Sequence, residues 1–137
     1  MMSDRVARSA GDTVRRASPF GLAALLAVSG TLHFVAPSTY ESIVPRMLPA
    51  RRAIVYGSGV VELCCAAAVL CPRTRRSGAW ASAALFVAVF PANVQMALDG
   101  GAPGAGFPMG SPVVAWLRLP LQVPLVLWAR AVARAVV

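Results

Sequence analysis

Four apolar stretches close to membrane-spanning length set what this chain can become. They cover residues 19–36, 53–71, 79–98 and 112–130. Roughly 20 helical residues at about 1.5 Å each cross a ~30 Å hydrocarbon core. The segments between them, "PSTYESIVPRMLPARR", "PRTRRSG" and "DGGAPGAGFPMGS", carry the proline, glycine and charge that end helices. No heptad, repeat or low-complexity tract appears beyond the Gly/Pro-rich third connection. The pattern predicts an all-α fold, a four-transmembrane-helix bundle. A basic tail over residues 1–18 precedes one membrane domain over 19–137.

The wider composition agrees, with 58% apolar and only 13% charged residues, against about a quarter charged in soluble chains. A formal charge of +8 would point to nucleic acid in a soluble protein. Here the basic residues flank apolar runs, so they read as topology signals and no nucleic-acid partner is expected. All are arginine. Arg5, Arg8, Arg15 and Arg16 stand in the tail, Arg73, Arg75 and Arg76 in the second connection, and Arg130 and Arg134 near the carboxyl end. The opposite side receives Arg46, Arg51 and Arg52. Positive residues are retained in the cytoplasm, so both termini are expected there, in the inner (plasma) membrane of a bacterium. The first segment lacks a small-x-small cleavage site and is expected to remain as a span.

In that orientation each helix brings a polar residue to the outer half of the membrane. Glu62 lies about 14 Å below the outer boundary and Arg118 about 10 Å, with Gln122 one turn deeper. His33 and Asn93 lie roughly 5 to 8 Å below the same face. An isolated ion at a helix centre costs about 2.5 to 3.5 kcal/mol even on a lenient insertion scale, so such groups turn inward and find partners. Glu62 and Arg118 are the natural pair; His33 and Asn93 can donate to the carboxylate; Gln122 shares a helix face with Arg118. The bland alternative is interhelical glue without chemistry.

Pro91, Pro120 and Pro124 withhold the donors that Val87, Trp116 and Pro120 carbonyls would otherwise meet, and a bend near Arg118 would open a wet cavity. Gly57, Ser58 and Gly59 allow close helix approach. Adjacent Cys64 and Cys65 are too near to bridge, and Cys65 and Cys71 too far apart along a helix. Cys71, beside "PRTRR", is the expected reactive thiol, because neighbouring arginine charge favours the thiolate. One histidine is too few for a two-His haem and three cysteines too few for an all-Cys iron–sulfur cluster, so no haem or iron–sulfur signature is present. No metal-ligand spacing and no NAD or flavin signature appear. Electron transfer would require a quinone or a partner protein.

"GTLHFVAPSTYESIVPRMLP", "YGSGVVEL", "FPANVQMAL" and "RLPLQVPLVLWA" occur in order over about residues 20 to 130, and together they resemble the small membrane proteins of the DoxX family. The resemblance implies a four-helix membrane bundle with His33, Glu62, Asn93, Arg118 and Gln122 at the family's recurrent polar positions. It also implies a redox-associated role, through the family's link to thiosulfate:quinone oxidoreductase and to thiol and oxidative-stress systems with soluble partners. Three functions follow as expectations: a redox-associated subunit whose outer polar site binds a quinone; a non-catalytic scaffold for membrane partners; and a small-solute or lipid carrier, for which a homo-oligomer would supply the room. Contact with membrane lipid is common to all three.

Overall fold

The computed structural model describes the backbone of residues 2–136 and the side chains of residues 19–136. The tail arginines Arg5, Arg8, Arg15 and Arg16 therefore have side chains outside the described residues. Six helices follow in order: α1 (Met2–Val35), α2 (Pro37–Ile43), α3 (Arg51–Leu70), α4 (Arg75–Ala88), α5 (Phe90–Leu98) and α6 (Pro112–Ala135). No strand occurs among the described residues.

Three units are long and apolar enough to cross a membrane: α3, the stretch Arg75–Leu98 formed by α4 and α5, and α6. A fourth is added if Pro19–Val35 and Pro37–Ile43, which meet at 97°, count as one broken span. Val28, Leu32, Val60, Val61, Val87, Leu117, Leu121 and Leu127 all lie exposed on the outside of these helices. Such a continuous apolar exterior suits a lipid surround rather than water.

The helices close into a ring, with α1 on α3, α3 on α4, α4 on α6, and a lighter α6–α1 contact. Lipid offers no hydrophobic drive for helix association, so close packing of small residues has to hold the ring together. At the α1–α3 crossing, a Cβ on Gly59 would stand 2.9 Å from His33 Cβ and 2.8 Å from the Phe34 ring, while one on Gly30 would meet the Gly59 carbonyl at 3.0 Å. Gly57, also read as a close-approach residue, meets nothing within 4 Å. At α3–α4, Gly78 lies so near Ala68 that an added Cβ would approach its Cβ to 2.7 Å.

Arg75 closes the tight α3–α4 turn by donating from Nε to the Val69 carbonyl (2.8 Å) and from an Nη to the Leu70 carbonyl (3.2 Å). Two carbonyls left over at the end of α3 are thereby satisfied. At this end a large apolar cluster joins all four long helices through Leu22, Leu26, Cys65, Val69, Ala83, Phe86 and Val132. A smaller cluster at the opposite end links Ile43 of α2, Met96 and Ala97 of α5, Ala102, and Ala115 of α6.

Three local features differ from the sequence expectation. The first connection contains a helix, because Pro37 both ends α1 and starts α2: it has no N–H for the His33 carbonyl, and its fixed φ suits a first helical position. The third span breaks at Val89, where Pro91 stands at the start of α5. By contrast α6 runs unbroken through Pro120 and Pro124, so the interruption lies across from Arg118 rather than beside it.

The crossing gives a direct test. Gly59→Leu is expected to lower the thermal unfolding midpoint in detergent, with overpacking costing about 1–3 kcal/mol. Gly57→Leu should leave the midpoint unchanged; equal effects of the two substitutions would remove the crossing's importance.

Candidate functional site

Between the two apolar clusters lies a cavity of about 320 Å³. His33, Glu62, Asn93, Arg118 and Gln122 all line it, together with Ser29 and Tyr40. Of the five residues read from the sequence, four are nearly withdrawn from the surface, with exposures of 7% for His33, Glu62 and Gln122 and 6% for Asn93. Arg118 is half-buried.

The pairing inside the cavity is not the expected one. His33 Nδ1 stands 3.8 Å from Glu62 Oε2, and among the described residues no carboxylate lies within 4 Å of Arg118. The reason is positional. The glycine crossing of α1 and α3 sets His33 beside Glu62, while Arg118 extends to Met109 Sδ (3.0 Å) and Met96 Sδ (3.9 Å) at the α5 end. Nor does Asn93 donate to the carboxylate: its Nδ2 donates to Gln122 Oε1 at 3.0 Å. Gln122 Nε2 in turn donates to the Phe86 carbonyl, close to the Val89 break. Asn93 and Gln122 therefore join α5, α6 and α4.

His33 Nδ1 also lies 2.8 Å from the Ser29 carbonyl. A carbonyl only accepts, so Nδ1 carries a proton, and in the neutral ring Nε2 is left as an acceptor. The ring is further fixed by Tyr40, stacked on it with centroids 4.0 Å apart. Tyr40 escapes a search for polar residues within spans because it sits in the first connection; Pro37 as a helix start was the available signal. Within the cavity lining, Glu62 Oε2 is buried with no hydrogen-bond donor among the described residues; Glu41 Oε1 shares that state outside the lining, where Arg52 Nε stands 3.4 Å away. A buried carboxyl oxygen without a partner costs about 1–3 kcal/mol or more. Once a molecule bearing a donor, or an acceptor for the protonated acid, enters beside it, that cost is recovered.

Above the cavity, Arg52 pairs with Glu41 and Arg46 with Asp99, each at 3.4 Å. The Arg46 side chain is 74% exposed, and surface pairs of this kind are worth about 0–1 kcal/mol. The Asp99 pair ties the segment after α2 to the end of α5. Gly101, at φ 113°, starts the return from α5 in a conformation that suits glycine.

Residues 22–133 match the family described as a domain of unknown function, DUF8561. The chain belongs to this family. No curated protein and no solved structure matches it. Every residue lining the cavity, from Leu25 to Leu125, falls inside the DUF8561 match.

Cys64, Cys65 and Cys71 are free, and Cys65 is buried. Cys71 stands at the exposed α3–α4 turn. Its thiol is held below the ordinary cysteine range, first by the Arg73 backbone N–H, then by Thr74, with Arg75 charge a lesser influence. Backbone donors, more than arginine charge, thus account for the shift. The thiolate is the nucleophile, so a lowered pKa moves the rise of reactivity to lower pH. Maleimide labelling of Cys71 should reach half its maximal rate below the ordinary pH of about 8.5. An identical profile for the free peptide of residues 70–77 would show that the folded turn contributes nothing.

Proposed function

We propose that the chain is a four-span protein of the bacterial plasma membrane, with both termini cytoplasmic. On this reading it acts as a DoxX-like, redox-associated subunit whose cavity binds the head group of a quinone. The observation that carries the reading is the unsatisfied Glu62 Oε2 in a cavity whose amides, Asn93 and Gln122, are already matched. Interhelical glue is served by polar groups that satisfy one another, as the two amides do, and Glu62 Oε2 stands outside that matching.

The lining offers what such a ligand needs. Arg118 donates to a ring carbonyl oxygen, His33 Nε2 and Glu62 hold or yield a proton, and Tyr40 and Phe86 supply aromatic surface. Reduction of a quinone to its quinol takes two electrons and two protons. Glu62 and His33 provide a route for protons at the ring oxygen, and a redox partner protein supplies the electrons.

A second reading is favoured by Met47 and Phe107. They are the most exposed large apolar side chains described, at 89% and 87%, and both stand on interhelix segments. These side chains suit contact with a larger membrane protein, as a scaffold would make.

Mass spectrometry of small molecules retained after gentle purification separates the two. A quinone held by the wild type and depleted several-fold in Glu62→Gln is the expected result. If neither protein retains a small molecule while both bring down the same proteins, the scaffold reading replaces this one. Orientation has its own test: a membrane-impermeant maleimide should reach Cys71 in inverted vesicles and not in right-side-out ones, and the reverse result would invert the topology.

A further inference from the structure

Arg118 is served differently from every other polar group in the cavity. Asn93 and Gln122 satisfy each other and the Phe86 carbonyl. Glu62 has His33 as its neighbour at 3.8 Å, whereas among the described residues no carboxylate lies within 4 Å of the Arg118 guanidinium. Its hydrogen-bond acceptors among the described residues are the thioether sulfurs of Met96 and Met109. A thioether is a weak acceptor, whereas a guanidinium presents five N–H donors in a planar fork that fits a carboxylate or another oxyanion. A half-buried cation whose hydrogen-bond acceptors among the described residues are both sulfur, opening on a cavity walled by Leu25, Ile54 and Leu125, has the complement of an amphiphile's acidic head.

We propose that the cavity receives an amphiphile whose head group bears an oxyanion, and that Arg118 is the residue that selects it. The proposal rests on the reading of the cavity as a ligand site and specifies the head group by its charge, an ionised oxygen, rather than by a quinone ring. An alkylated hydroxyquinone in its ionised form and a fatty carboxylate share this chemistry: an oxygen anion on an apolar body. The oxyanion engages the Arg118 fork and the apolar body lies along the leucine and isoleucine walls. Met96 and Met109 hold the guanidinium in place without competing for its donors.

Two matched pairs of probes test it on the full chain in nanodiscs of zwitterionic lipid. One pair is a 3-alkyl-2-hydroxy-1,4-naphthoquinone at a pH where it is ionised and its neutral 2-methoxy ether; the other is laurate and methyl laurate. Charge-assisted hydrogen bonding should make the anionic member of the preferred pair bind about 10- to 100-fold more tightly. The pair that shows this identifies the source of the oxyanion. In Arg118→Gln the ratio should collapse to near one, and in Arg118→Lys, which keeps the charge, it should largely return. If Arg118→Gln does not fold, Arg118→Met, whose side chain suits the two neighbouring methionines, takes its place. Equal binding of anion and neutral partner by the wild type overturns the proposal, as does a preference that persists without the arginine. In either case binding of the methoxy quinone leaves the quinone site standing. If no member of either pair binds, the proposal and the ligand-site reading fall together.

Discussion

The approach of α1 to α3 at Gly30 and Gly59 is the constraint on which the rest depends. Gly59 leaves room for the His33 and Phe34 side chains where any Cβ would collide with them, and Glu62 follows one turn later on the same face of α3. Within a lipid solvent such backbone proximity is a main source of helix association. The same contact that holds the first half of the bundle together therefore also places a histidine and a carboxylic acid 3.8 Å apart. Packing and site chemistry have one origin here.

The polar layer makes sense once this crossing is fixed. With His33 occupying the near side of Glu62, the carboxyl does not meet Arg118, and the two amides turn to one another and to the Phe86 carbonyl instead. The result is three neighbouring groups in unequal states: matched amides, a carboxyl oxygen lacking a donor, and a guanidinium against sulfur. Networks completed from within tend to rigidify a bundle, and groups left incomplete mark where something else is accommodated. The matched amides belong to α5 and α6 and the unpartnered carboxyl oxygen to α3, so the cavity lies along the seam between these two sides of the bundle.

Much of this was legible in the sequence for a simple reason. Apolar length reports directly on helices that cross a bilayer, and α3 and α6 stand out on that ground alone. The rarity of charge within such runs made Glu62 and Arg118 visible, and depth along the helix axis brought all five polar residues to one half of the span; in the structure they line one cavity. Depth says nothing about rotation around the axis, and rotation decides partners. Hence Glu62 with Arg118 was the natural expectation and Glu62 with His33 the outcome. Gly57 and Gly59 likewise look alike in the letters and differ only in which face they present. Tyr40 was hidden because a charged and proline-bearing connection reads as loop, although Pro37 turns it into a helix.

That short helix carries a consequence for how the molecule is ordered. Seven residues make too few internal hydrogen bonds to be stable as an isolated helix in water. The folded state of α2 must therefore be lent by its neighbours: α3, on which it packs, the His33 ring under Tyr40, and Met96, Ala97 and Ala115 around Ile43. His33, on which Tyr40 stacks, lines the same cavity as Tyr40 and Ile43. The short helix and the cavity lining are thus thermodynamically linked: part of the free energy that keeps α2 in register is drawn from the orientation of one imidazole ring.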